Sequence, residues 1–179
     1  NPFRFIDPEG LSPTDIVYFN SNGEEAKRII SELINKVYVK NEASGKYIEA
    51  QMPSQSVNSR GNKESYTKLD YQVAASTKIM NDKFESKSGL PSTLNHQFTN
   101  DSNLPESFEP NLVKAILIEE SDFGQPGPNG TGDADPMQSN YPGDFNSSKD
   151  VKEAVGLSKN QKMNPNLSIQ AGLGIFLIK

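Results

Sequence analysis

Proline and glycine break this chain into short lengths, and their placement limits what it can become. Pro2, Pro8, Pro13 and Gly10 fall within the first thirteen residues, so the start is extended or turned rather than helical. Pro91, Pro105 and Pro110 punctuate a second stretch that reads as a wandering loop. The run "GQPGPNGTGDADP" makes a third, with no apolar anchor. With 13 Gly and 12 Pro in 179 residues, long connections are expected rather than a compact bundle. The length suits about one domain, or one domain with an added module.

Between the breaks, hydrophobic periodicity predicts a small set of elements. Ile16 to Phe19 reads as a strand, and Asn22-Gly23 as a turn. In "EEAKRIISELINK" the spacing puts Ile29, Ile30, Leu33 and Ile34 near one face, predicting a short amphipathic helix. Val37 and Val39, then Tyr47 and Ile48, flank Ser44-Gly45 and predict a hairpin. From Met52 to Lys63 the composition turns polar and marks a boundary. Residues 65–86 are helix-like, with Leu69, Val73, Ile79 and Met80 as core positions. "NLVKAILIEE" is the most apolar helix, and "SSKDVKEAVGL" a short one with Ser147 or Ser148 as N-cap. "NPNLSIQAGLGIFLIK" is a last helix whose apolar face is still running at Lys179. The fold class expected is α+β, mainly helical.

Several function classes lose support. Eighteen basic residues against 23 acidic ones give a net charge of −5, the wrong balance for a nucleic-acid surface. The chain has no cysteine, which removes disulfides and thiolate metal sites. No apolar run reaches the ~18 residues of a membrane span. His96 is the one histidine and has no serine or cysteine pattern around it, so triad catalysis has little basis. "GPNGTG" carries no lysine and opens no helix, so it is not a phosphate loop. The start, "NPFRFIDPEGL", lacks both a signal-peptide pattern and an initiator Met, which suggests an excised fragment.

Two stretches carry a resemblance. Asn1-Pro2-Phe3-Arg4-Phe5 and Asp7-Pro8-Glu9-Gly10-Leu11 resemble the closing motif of Rhs/YD-repeat core proteins, over about eleven residues. In that family the motif marks where a conserved shell ends and a variable toxin begins. The resemblance implies a self-cleavage junction at Leu11, with Asp7 in the motif. The second stretch is similar to the lysozyme-like superfamily of lytic transglycosylases and goose-type lysozymes. It runs through Ala115-Ile116-Leu117-Ile118-Glu119-Glu120-Ser121, then Gly132 with Met137-Gln138, then Asn166-Leu167, Ala171-Gly172 and Phe176-Leu177. The division implied is residues 1–11 as the end of the Rhs core and 12–58 as a small α/β adaptor with a hairpin. Residues 59–179 would be a lysozyme-like domain, incomplete at its C-terminus.

The register of that resemblance puts the catalytic acid at Glu120, directly before Ser121, with Glu119 as its solvated neighbour. Cleaving a glycosidic bond needs a carboxylic acid still protonated near neutral pH. A Glu at the end of an apolar helix, partly buried in the largest groove, would be desolvated and its pKa raised. One such residue serves both steps of a transglycosylase, whereas a hydrolase usually adds a second carboxylate. Asp133, Asp135 and Asp144 are within reach in sequence terms. Ser121 either orients Glu120 or ends the helix. Met137 either walls the cleft or packs in the core. Gln138 would hydrogen-bond sugar hydroxyls or amides, and Tyr141 would stack on a sugar face or sit in a surface turn. Asp133 and Asp135 are oxygen donors two residues apart, but too few ligands for a metal site, and no cofactor is expected.

The chain departs from the family in its acidic loop, Asp133-Ala134-Asp135-Pro136, and in having no Tyr-Asn segment after Lys179. The partners implied are a peptidoglycan glycan strand, a cognate immunity protein and the Rhs shell of the parent protein, with no nucleic acid. The setting implied is a secreted effector acting in the periplasm of a target bacterium. A rival reading from another class is a non-catalytic glycan-binding or structural module.

Overall fold

The structure, a computed structural model, describes residues 15–31, 33–57, 67–86, 107–121, 134–140 and 144–176. Its architecture is α+β. Four strands, β1 (Ile16–Phe19), β2 (Glu25–Ile29), β3 (Lys36–Lys40) and β4 (Tyr47–Ala50), form one mixed sheet in the order β2-β1-β3-β4. Among the described residues four helices follow: α1 (Asp70–Ser86), α2 (Pro110–Ser121), α3 (Lys149–Ala154) and α4 (Pro165–Phe176). The expectations for residues 1–14, which include Asp7 and Leu11, lie outside the described residues, as do those for His96, Gly132, Asp133, Tyr141 and Leu177.

The sheet follows from alternation at its centre. Val17 and Phe19 on β1, and Val37 and Val39 on β3, are buried, while Tyr18 and Tyr38 face outward. The parallel register sets Val17 beside Val37 and Tyr18 beside Tyr38, and the two tyrosine rings stack with centroids 5.1 Å apart. Cross-strand pairs of this kind fix register.

The helix expected over "EEAKRIISELINK" is absent. Residues 25–29 are β2, paired antiparallel with β1, and Ile30, Leu33 and Ile34 lie in the connection to β3. The cause is the turn before it. The Asn20 side-chain oxygen accepts the N–H groups of Asn22 at 3.0 Å and Glu24 at 2.9 Å, and Gly23 adopts φ +87°. That reversal returns the chain along β1, so ladder hydrogen bonds override a helical period. The cost is visible on the surface, because Ile30 is 81% exposed and Leu33 92%.

Helix α1 positions everything else. One of its faces, with Tyr71, Ala74, Ala75 and Ile79, closes the inner face of the sheet. The other, with Val73, Met80 and Phe84, enters a second core with Leu69 just ahead of the helix, Val113 and Leu117 of α2, and Ile169, Ala171 and Leu173 of α4. All four core positions expected in this helix, Leu69, Val73, Ile79 and Met80, are buried. Each such aliphatic side chain contributes about 1.5–3 kcal/mol by burial. Sheet and helices therefore share one helix.

A buried ion pair ties the two parts further. Lys114, in the middle of the apolar run of α2, is fully buried and contacts Asp70 at the start of α1 at 2.9 Å. Its ammonium also donates to the Ser54 carbonyl at 3.1 Å, and Asn111 accepts the Ser54 N–H at 2.7 Å. The connection leaving the sheet is thus held by α2 through both backbone groups of one residue. Burial pushes the Asp70 carboxyl up to about 6, against the opposing pull of Lys114.

Candidate active site

Helix α2 ends in the acids that the sequence singles out. Ile116 and Glu120, four residues apart and so on one face, line a groove of about 210 Å³. Glu119, about 100° around the helix, is exposed and is not among its lining residues. The other walls are Met137, Gln138 and Ser139 from the following loop, Asp144, Ser147 and Ser148 ahead of α3, and Gly172, Ile175 and Phe176 on α4.

Gly172 explains why the loop sits so close. A Cβ there would lie 2.7 Å from Cβ and Cε of Met137, so only glycine admits this approach. Gly174, two residues on, does the same for Val151 of α3, where a Cβ would meet Cγ1 at 2.5 Å. The thioether of Met137 is therefore both core and groove wall, and Met137 is 8% exposed. Gln138 donates through its side-chain amide to the Glu120 carbonyl and holds a positive φ of 49°. A non-glycine residue there costs of order 1 kcal/mol, which the surrounding hydrogen bonds sustain.

Asp135 supplies most of those bonds. It is 1% exposed and does not line the groove. Its Oδ1 accepts Ser139 N–H at 2.9 Å, Ser139 Oγ–H at 3.0 Å and Ser168 Oγ–H at 2.6 Å, and Oδ2 accepts Asn140 N–H at 2.9 Å. Ser168 in turn accepts Met137 N–H at 2.9 Å, which stitches the loop to α4. The carbonyl of Asp135 closes a turn with Gln138 N–H at 2.9 Å, with Pro136 at the turn position that favours proline. As a second catalytic carboxylate Asp135 is thus corrected: its lone pairs are spent on the loop. The sequence signal was an Asp-Pro turn followed by Ser139, an Asx pattern.

Asp144 is the carboxylate that shares the groove with Glu120. It is held from below by Lys152, which is fully buried. The Lys152 ammonium donates to the Asp144 carbonyl at 2.7 Å and pairs with its Oδ2 at 3.6 Å. A lysine on a short polar helix gave no sequence hint of this role.

Two further expectations differ. Glu120 is exposed rather than partly buried, because the buried stripe of α2 runs through Val113, Lys114, Leu117 and Ile118 and the last turn projects past it. The groove is not the largest: a second one, beside Lys83, has about 460 Å³. Ser148 takes the N-cap position of α3 but in a left-handed conformation, with no side-chain cap bond. The Ser121 hydroxyl bonds back to the Leu117 carbonyl at 3.2 Å, in the last turn of α2. Among the described residues no group of three acidic or histidine side chains is arranged to hold a metal ion. No described helix is long and apolar enough to cross a membrane.

Chemically the groove offers one free carboxyl at a helix end, a second one fixed by a buried cation, and an edge with the hydroxyls of Ser147 and Ser148. That set suits proton transfer to and from a polyhydroxylated substrate. No family model, curated protein or solved structure matches the chain.

Proposed function

We propose that this groove cleaves the β-1,4 glycan strand of peptidoglycan by general acid–base catalysis, with Glu120 as proton donor. The observation that carries the reading is convergence. The Glu-Ser helix end, the Met-Gln loop and the Gly172 helix are far apart in sequence. They meet at one groove through the Gln138–Glu120 hydrogen bond and the Met137–Gly172 contact. In this mechanism Glu120 protonates the leaving glycosidic oxygen, and Gln138 and the serines hold sugar hydroxyls. In a transglycosylase the same carboxylate then accepts a proton from the sugar's own 6-hydroxyl.

The presence of Asp144 in the groove favours hydrolysis, since a second carboxylate can orient and deprotonate water. Mass analysis of digested purified peptidoglycan separates the outcomes. Reducing ends mean hydrolysis, anhydro ends mean transglycosylation, and no release supports a non-catalytic glycan-binding module. The exposure of Glu120 is what favours that last alternative. With the N-terminal resemblance, the proposal extends to an antibacterial toxin released from an Rhs shell, acting in the periplasm and neutralised by an immunity protein.

A further inference from the structure

The 460 Å³ groove lies away from Glu120, where four segments converge: the β1–β2 turn, the end of α1, the end of α3 and the connection into α4. Its volume falls in the range of small-molecule sites, roughly 300–1,000 Å³. Its floor is fixed. Gln170, fully buried, donates to the Asn22 carbonyl at 3.1 Å, and a Cβ on Gly23 would sit 2.7 Å from the Gln170 amide nitrogen.

Lys83 lines this groove half-buried and, among the described residues, without a hydrogen-bond or ion-pair partner. The other lysines drawn into the fold, Lys114 and Lys152, have carboxylates. Burial lowers the Lys83 pKa, and Glu42, across a smaller adjoining cavity, opposes that without pairing with it. An ammonium held this way gains from an anion brought by a ligand. Two amides add donors beside it. The Asn164 oxygen is taken by Leu167 N–H at 3.0 Å and the Gln161 oxygen by Ser158 N–H at 3.2 Å, which leaves their NH₂ ends to give. On the same rim, Glu24 and Glu153 carry carboxylate oxygens that exceed their bonds to Asn20 and Lys149.

We infer that this groove binds an amino-acid-type zwitterion, its carboxylate on Lys83, Asn164 and Gln161 and its ammonium on Glu24 and Glu153. The ligand is either a free amino acid or a peptide side chain on a glycan strand that itself ends in an amino-acid group and so keeps both charges. The inference stands apart from glycan cleavage, because the Glu120→Gln chain is expected to bind it as well as the wild type does.

Calorimetric titration of the full chain with D-alanine, acetate and methylammonium tests it. D-alanine should bind at least about tenfold more tightly than either half-ligand. Lys83→Met, which removes an unpaired charge and should fold, should weaken D-alanine at least about tenfold, and Glu24→Gln with Glu153→Gln should bring it down to the affinity of acetate. Stem-bearing glycan fragments that compete with D-alanine, where stripped fragments do not, assign the ligand to peptide ends. Failure of both to compete assigns it to free amino acids. No binding of D-alanine, equal binding of acetate, or unchanged binding by Lys83→Met overturns the proposal.

Discussion

Two kinds of carboxylate lie within a short span of this molecule. Asp70 and Asp135 are buried, Asp70 paired with a lysine and Asp135 held by hydroxyl and amide hydrogens. Glu120 and Asp144 are exposed on a groove, with oxygens left open to a substrate. Acidity alone therefore does not mark a site. What separates the two kinds is whether the group is buried against partners of the protein's own or open to solvent on a groove. The buried pair should act on stability, and the groove pair on turnover.

The largest effect expected on the stability side comes from Lys114→Met, which strands Asp70. It should cost about 3–5 kcal/mol near neutral pH, read as a drop in the urea midpoint. Replacing both partners, with Asp70→Leu and Lys114→Met, should restore most of that or exceed wild type. The pH dependence has a definite sign. The Asp70 carboxyl is raised from 3.8 to about 6 on folding, so its contribution is full below about pH 3.8 and is lost as pH rises through about 6. Wild type should lose stability relative to the double variant across that window. A difference that is flat with pH would show that Asp70 is not the buried acid described.

A smaller loss should follow Asp135→Asn, which keeps the volume but turns a donor toward groups that already donate. About 2–3 kcal/mol of stability should go, and lytic activity should fall with it as the groove wall loosens. Wild-type stability in this variant would move Asp135 into the groove class. Gly172→Ala should cost about 1–3 kcal/mol, since the added methyl meets Met137. Here the useful readout is the split. Met137→Gly in the same chain should recover part of the loss by removing both the Cβ and the Cε contact, while the Gly172→Ala chain alone loses substrate affinity before turnover.

Local features were the legible part of the sequence. The β1 strand, the Gly45 hairpin, the apolar stripe of α1 and the helix ending at Glu120 all follow from spacing over a few residues. The Met137 and Gly172 elements could be picked out singly, though nothing local showed that the loop rests on the helix. The failures are non-local. Ile29, Ile30, Leu33 and Ile34 satisfy a helical period, and only the return of the chain onto β1 makes residues 25–29 a strand. Nothing local marks Lys114 and Lys152 as buried, because their partners are set by tertiary packing. Asp135 stands beside Asp133 in the sequence, while its role depends on Ser168 arriving from α4.

The central claim is that Glu120, and not its neighbour, transfers the proton. Purified peptidoglycan digested by wild type, Glu120→Gln and Glu119→Gln, with release followed by mass spectrometry, tests it most directly. Glu120→Gln should retain folding and binding but lose about 10²–10⁴-fold in rate, while Glu119→Gln stays within a few-fold of wild type. Full lytic activity in Glu120→Gln, or a loss confined to Glu119→Gln, would contradict the assignment of the groove as the site of proton transfer.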